Sequence, residues 1–275
     1  MNIDMTGKGV LVTGAGTGIG REIALEFARS GANVIFHYGG SKEGAASGVE
    51  EAEAMGVRAR AVQADFSDLD AVMRLAEEAG KFLGRVDALV NNSGITFNKP
   101  LRKVEPAQFE KIYNVNVRAG YFLAQKVAPG MIEAGSGAIC NVTSIHGVSG
   151  APEHSVYAGT KGAIIAYTRS LGVELAHKGI RVNAIAPGWV TVPNYKKAMP
   201  DFDVEEAKKV AYDKVPAGRY GDPIDVAKLA VFLCSDAATF IIGQTIVIDG
   251  GTSALMSLIS DFRNESTAAW GQNYL

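Results

Sequence analysis

Little in this sequence points to a disulfide-stapled, membrane-spanning or nucleic-acid-binding protein. It has only two cysteines, Cys140 and Cys234. They lie far apart, form no CxxC pattern and cannot build a disulfide framework. Each sits in an apolar run (AICNV and VFLCS), which predicts two reduced, buried thiols. None of the four histidines, His37, His146, His154 and His177, pairs with another at metal-ligand spacing beside a carboxylate or thiol, so no catalytic metal is expected. Neither charge sign dominates: 27 Lys and Arg stand against 29 Asp and Glu, for a net charge of -2. A nucleic-acid partner would call for a basic stripe, and a membrane patch or tail for a block of like charge. No apolar run approaches the roughly 18 residues of a spanning helix. Residues 1–9 carry Asp4 and Lys8 and lack an apolar leader core, which predicts a cytosolic chain with neither a membrane nor a nucleic-acid partner. Internal repeats, low-complexity blocks and Pro/Ser-rich linkers are missing too.

What is present is apolar and rich in glycine. Of 275 residues, 47% are hydrophobic and 20% charged, enough for a sizeable core. The 32 glycines predict many tight turns or close backbone approaches. Short Val/Ile-rich runs at 9–13, 33–37, 57–63, 88–91, 138–142, 181–184 and 245–248 barely alternate with polar residues. Such runs suit strands buried on both faces of a parallel sheet. Between them lie helix-like stretches, among them 20–30, 68–83, 106–132 and 155–177, and Pro106 suits a first helical turn. This alternation predicts an α/β fold, one doubly wound parallel sheet with helices on both faces. A single domain over 1–251 is expected. Its weakest periodicity, at 191–222, suggests an inserted substrate loop with one or two short helices. The tail 252–275 shows no strong pattern.

The first strand runs into Thr13-Gly14-Ala15-Gly16-Thr17-Gly18-Ile19-Gly20. Residues without Cβ let a pyrophosphate approach the backbone at a helix N-terminus, where the dipole favours negative charge. A tight strand-to-helix turn without any ligand also uses glycine. The position after the first apolar strand favours a Rossmann-type dinucleotide site. Further along, Tyr157 and Lys161 are four apart, on one face of a helix. A free phenol, with a pKa near ~10, is a poor base at neutral pH; a neighbouring ammonium favours its phenolate. Ser144 ends the fifth strand, where side chains face the ligand crevice, although a serine there also suits a cap.

The spacing TGxxxGxG resembles that of the short-chain dehydrogenase/reductase family. So do Asp65 after the third strand, Asn91-Asn92-Ser93-Gly94 after the fourth, Asn116, Ser144, Tyr157-Ala158-Gly159-Thr160-Lys161, Pro187-Gly188 and Asp249-Gly250-Gly251. Together these span most of the chain, from about Gly7 to Gly251, and NNSG stands where the family has NNAG. The resemblance implies that Ser144 orients the substrate, Tyr157 is the acid/base, and Lys161 assists Tyr157 and holds the nicotinamide ribose. It implies that Asn116, rather than the nearby Asn114, supports a water-linked proton relay. Gly14, Thr17, Gly18, Ile19, Gly20, Asn92, Ser93 and Gly94 would hold the dinucleotide. Asp65 and Phe66 would meet the adenine, and Pro187, Gly188 and Val190 the carboxamide; Val192 stands where relatives often have Thr. The reaction implied is hydride transfer between an alcohol and a carbonyl.

The second strand ends at Tyr38 without a carboxylate to accept the ribose 2′-hydroxyl, and Gly39-Gly40-Ser41-Lys42 follow. With Tyr38 at the selective position and Ser41 and Lys42 near a phosphate, NADP is expected over NAD, although Thr17 replaces the Arg of many NADP-using relatives. For the substrate, His146, His154, Trp189, Asn194 and Tyr195 flank the catalytic segments. They suggest a polar hydroxylated molecule such as an aldose or polyol. The alternatives are a 3-oxoacyl-thioester reductase and, without catalysis, a nucleotide-sensing binding module. A purely structural oligomer leaves the glycine turn unexplained. The resemblance also implies a homotetramer built through 106–132 and 155–177, where Ala158, Gly159, Gly162 and Ala163 permit close packing.

Overall fold

A computed structural model of the chain describes residues 3–192, 203–255 and Arg263. The apolar runs form seven strands: β1 (Gly9–Val12), β2 (Asn33–Tyr38), β3 (Ala59–Gln63), β4 (Ala88–Asn91), β5 (Gly137–Val142), β6 (Ile180–Pro187) and β7 (Thr245–Ile248). They make one sheet in the order β3-β2-β1-β4-β5-β6-β7, every neighbouring pair parallel. Val10 stands opposite Val34 on one side and Ala88 on the other. The strand order therefore reverses between β1 and β4, and a crevice opens there at the carboxyl ends of the strands.

Helices cover both faces. They are α1 (Gly18–Arg29), α2 (Lys42–Ala54), α3 (Leu69–Leu83), α4 (Pro106–Tyr113), α5 (Ala119–Glu133), α6 (Ser155–Ala176), α7 (Val204–Lys214) and α8 (Pro223–Cys234). Side-chain alternation along each strand divides the core in two. Val10, Val12, Phe36, Val90 and Cys140 pack with Ile23 and Phe27 of α1, Ala45 of α2 and Val226 of α8. Leu11, Ile35, Leu89 and Ile139 pack with Leu75 of α3, Leu123 of α5 and Leu175 of α6. Burial on both faces is why these strands read as continuous apolar runs.

The stretch 106–132, which reads as one helix, is interrupted. Pro106 opens α4 behind a capping box of Glu105 and Gln108. Asn114–Arg118 then widens into a π-turn before α5 resumes. Such one-turn insertions often occur at functional sites, and asparagine is a poor helix-interior residue that competes for backbone bonds. In the insertion at 191–222, Asp203 caps α7 by accepting from the Glu205 and Glu206 amides. Asn194 and Tyr195 lie outside the described residues. From the tail, Arg263 donates to the Tyr212 and Val215 carbonyls at 2.8 Å each, tying that point to the end of α7. Both cysteines are buried and unbridged. The fold nonetheless makes them neighbours across β5 and α8: Cys234 and burial push the Cys140 thiol well above its usual range. No described helix is long and apolar enough to cross a membrane.

Candidate active site

The crevice begins with the glycine turn. Thr13 stitches the turn to the segment after β4. Its amide donates to the Val90 carbonyl, and its hydroxyl accepts from the Asn92 amide at 2.9 Å and the Ser93 amide at 3.0 Å. The Asn92 side chain donates back to the Thr13 carbonyl at 2.9 Å. Gly14 has φ +66° and Gly18 φ +56°, the left-handed region that side chains with Cβ avoid. At Gly20 a Cβ would lie 2.3 Å from the Gly14 carbonyl, so the turn closes only with glycine there. The result is a cleft of about 870 Å³ lined by Gly14, Thr17, Gly18, Ile19, Gly20, Asn92, Ser93 and Gly94, with Asp65 and Phe66 at its far end. Its size and its cradle at the N-terminus of α1 fit a dinucleotide.

The end of β2 departs from the sequence reading. Alternation sends Tyr38 to the same face as Phe36, into the core beneath α1 and α2. Ser41 precedes α2 and lies outside the cleft wall. The residues that face the cleft here are His37 and Gly39. The His37 ring stacks on Phe66, centroids 4.3 Å apart and planes 12° apart. Motif reading missed this residue because it names positions, whereas the face a side chain takes depends on strand register. Asp65 is turned onto its own loop: its carboxylate accepts from the Ser67 amide and hydroxyl, which hold it below the usual carboxylate range. Arg74 and Lys111 also line this end.

A smaller pocket of about 220 Å³ continues the cleft and shares Ile19, Asn92, Gly94, Ile95 and Val192 with it. It brings together Ser144, Tyr157, Lys161, Pro187, Gly188 and Val190. Three elements converge: Ser144 follows β5, Tyr157 and Lys161 sit one turn apart on α6, and Pro187 ends β6. Lys161 is 4% exposed; its ammonium donates to the Val142 carbonyl at 3.0 Å and lies 5.5 Å from the centre of the Tyr157 ring. Burial pushes its pKa down to about 8, so it is still mostly charged at neutral pH. The Thr143 hydroxyl donates to the Lys161 carbonyl, tying α6 to the end of β5. The Ser144 hydroxyl accepts from the His146 amide at 3.2 Å, so the serine caps the short turn Ile145–Gly147 while facing the pocket.

Asn116 is buried beside this pocket rather than in its lining. Its amide oxygen accepts from the Ile95 amide at 2.8 Å, and its nitrogen donates to the Ile95 carbonyl and the Thr160 hydroxyl. The side chain thus clamps the segment after NNSG onto α6. His146 and His154 stack in parallel, 4.5 Å apart and 3° inclined, and His146 meets the Tyr157 ring edge-on at 5.8 Å. Glu153, next to His154, has φ +64°, an unusual conformation for a residue with a side chain. Trp189 is not brought to the pocket. It stacks on Tyr220 at 5.2 Å and lines another hollow with Arg219 and Asp225, while its neighbour Val190 faces the pocket. Gly159 serves packing within the chain, since a Cβ there would lie 2.6 Å from the Tyr113 hydroxyl.

A family model described as enoyl-(acyl carrier protein) reductase matches residues 14–253. The chain is 40% identical over 244 residues to the 3-oxoacyl-[acyl-carrier-protein] reductase FabG of Staphylococcus aureus, covering 89% of this chain and 97% of that one. In structure it resembles a protein from Beutenbergia cavernae described as an NAD(P)-dependent gluconate 5-dehydrogenase with bound NADP (TM-score 0.84, 36% identity, 93% of this chain and all of that one). A 7α-hydroxysteroid dehydrogenase complexed with NADH and an oxo bile acid is similar too (TM-score 0.84, 36% identity, 91% and 96% covered). The chain belongs to the short-chain dehydrogenase/reductase family, whose members are NAD(P)-dependent oxidoreductases.

Proposed function

We propose that the protein interconverts a secondary alcohol or sugar hemiacetal and a carbonyl on a polar hydroxylated substrate such as an aldose or polyol. The convergence of Ser144, Tyr157 and Lys161 in one pocket that opens from the dinucleotide cleft carries this reading. A bound nicotinamide supplies or takes the hydride. Tyr157 exchanges a proton with the substrate oxygen through its phenol. Lys161, charged and desolvated beneath the ring, stabilises the phenolate form. Ser144 directs its hydroxyl at the same oxygen and counters the charge that develops there. Asn116 acts on this chemistry by fixing the Ile95 segment and the Thr160 turn.

The imidazole pair supports the hydroxylated substrate class. His154 Nδ1 lies 2.8 Å from the Pro152 carbonyl and so donates its N–H there. Burial and His154 lower the pKa of His146, keeping it neutral. These imidazoles, beside Tyr157 although outside the lining of the small pocket, suit hydroxylated molecules better than an acyl chain. The second reading, a 3-oxoacyl-thioester reductase, draws on the 40% identity to FabG. Purified protein assayed with aldoses, polyols and 3-oxoacyl thioesters by nicotinamide absorbance decides between them. We expect kcat/KM for the best polyol or aldose to exceed that for the thioesters by roughly a hundredfold, because polar groups beside the site gain hydroxyl partners that an acyl chain lacks. The opposite ranking establishes the second reading. Dinucleotide binding with no turnover across the panel would leave a nucleotide-sensing module.

NADP is the expected cofactor. No carboxylate from β2 faces the cleft, Asp65 is taken up by Ser67, and Lys111 lines the same end beside Arg74, which Asp68 pairs at 3.4 Å. Kinetics with both dinucleotides test this, and a strong NAD preference would refute it. A homotetramer is proposed through α4, α5 and α6, which expose Phe109, Tyr121 and Val173. Light scattering reads that directly.

A further inference from the structure

The proposed proton-transfer chemistry makes no use of His37, a polar side chain only 2% exposed at the end of β2. The residue holds two successive amides of the glycine turn. Its carbonyl accepts from Ala15 N–H at 2.7 Å, and its ring Nδ1 accepts from Gly14 N–H at 3.2 Å. The other ring nitrogen, Nε2, lies 3.1 Å from the Ala64 carbonyl. An amide donor at one nitrogen and a carbonyl acceptor at the other allow a single neutral tautomer, bare at Nδ1 and protonated at Nε2. The Ser93 hydroxyl lies 3.5 Å from Nδ1, and the ring stacks on Phe66. One side chain therefore touches the glycine turn, the NNSG segment and the loop after β3, and all three line the cleft.

We infer that His37 is a positioning residue for the dinucleotide, a tautomer-locked imidazole that sets the Gly14 peptide and the Phe66 wall at the adenosine end. The inference rests on the cofactor reading above. A phenylalanine would fill the same space and keep the stack, but it would leave the Gly14 amide and the Ala64 carbonyl without their partners. Burial pushes the pKa of the ring down to about 4, so the neutral form persists through the physiological range.

The two ring nitrogens can be replaced separately. His37→Asn puts Oδ1 where Nδ1 was and keeps an acceptor for Gly14. His37→Gln puts Nε2 where the ring Nε2 was and keeps a donor for Ala64. Dissociation constants for NADPH, NADH and ADP-ribose are measured by calorimetry on the full chain, with Tm recorded in parallel. His37→Phe is expected to weaken dinucleotide and ADP-ribose binding about tenfold. His37→Asn should recover to within about threefold of wild type, while His37→Gln stays as weak as His37→Phe. In steady-state assays the loss falls on KM for the dinucleotide and not on KM for the substrate. If His37→Phe does not fold, ¹⁵N NMR of the wild-type ring takes its place. The inference then predicts a neutral Nε2–H tautomer whose shifts respond to added NADPH, and an unresponsive ring overturns it. Wild-type-like affinity in His37→Phe overturns it as well, as does an equal loss in all three variants that merely tracks Tm. A wild-type chain that binds none of the three probes overturns the cofactor reading and this inference together.

Discussion

At the dinucleotide end of the cleft, main-chain groups hold the site: glycine amides, the Thr13 and Ala64 carbonyls and the N-terminus of α1, with Thr13, Asn92 and His37 fastening them. At the proposed reacting end, side chains shape it: a serine after β5 and a phenol and an ammonium on α6, with the asparagine of a π-turn behind the lining. The first arrangement needs a backbone shape, which glycine at fixed spacing provides. The second needs charge placed in a dry environment. Lys161 keeps a proton while surrounded by protein, and Asn116 and Thr143 anchor the segments around it.

If the two ends are that distinct, damage at one should spare the other. The largest effect is expected for Tyr157→Phe. Turnover should fall roughly a thousandfold, as for loss of a general acid/base, while dinucleotide affinity measured by fluorescence changes less than about threefold. Near-normal turnover would mean the acid/base is elsewhere.

Lys161→Met sharpens the contrast through stability. The buried ammonium titrates near 8, whereas an unfolded lysine titrates at 10.5, so the unfolded chain binds more protons between these values. Native stability should therefore rise with pH across that window, by on the order of 3 kcal/mol from this group. Urea unfolding at both ends of the window should show the rise in wild type and its loss in Lys161→Met, which should also lose turnover.

His37 makes the matching case at the other end. Its folded pKa is about 4 against 6.5 unfolded, so the stability due to this group is present above 6.5 and is lost as pH falls toward 4. The acid loss, on the order of 3 kcal/mol, should be absent from the difference curve of His37→Phe. The smallest effect is expected for Gly18→Ala. A Cβ at φ +56° would lie 3.2 Å from Val192 Cγ1, and left-handed backbone costs a residue with Cβ about 1 kcal/mol. KM for the dinucleotide should rise severalfold with little change in KM for the substrate.

The strands were legible because burial on both faces of the sheet produces unbroken apolar runs. The glycine turn and the Tyr157–Lys161 face were legible because their spacing follows from local geometry. The π-turn was legible only as a hint, in two asparagines that suit a helix interior poorly. One extra residue in a helical register leaves the apolar pattern of 106–132 nearly unchanged, and the widened turn holds Asn116 against Ile95, a contact with another segment. Tyr38 aligns with the family's selective position, yet strand alternation turns it into the core and presents His37 instead. Trp189 was named as a neighbour of the Pro187-Gly188 segment, but the fold stacks it on Tyr220.

Read along the chain alone, the residues already specify the alternation of strand and helix, the glycine turn after β1 and the one-turn separation of phenol and amine. Each depends on residues a few positions apart, whose relation is set by chain geometry alone. It took long-range packing to bring Ser144 into one pocket with that pair, to set His37 against the glycine turn and to make neighbours of two distant cysteines. Those meetings depend on which faces bury together and in what register, and no short stretch of sequence carries that information.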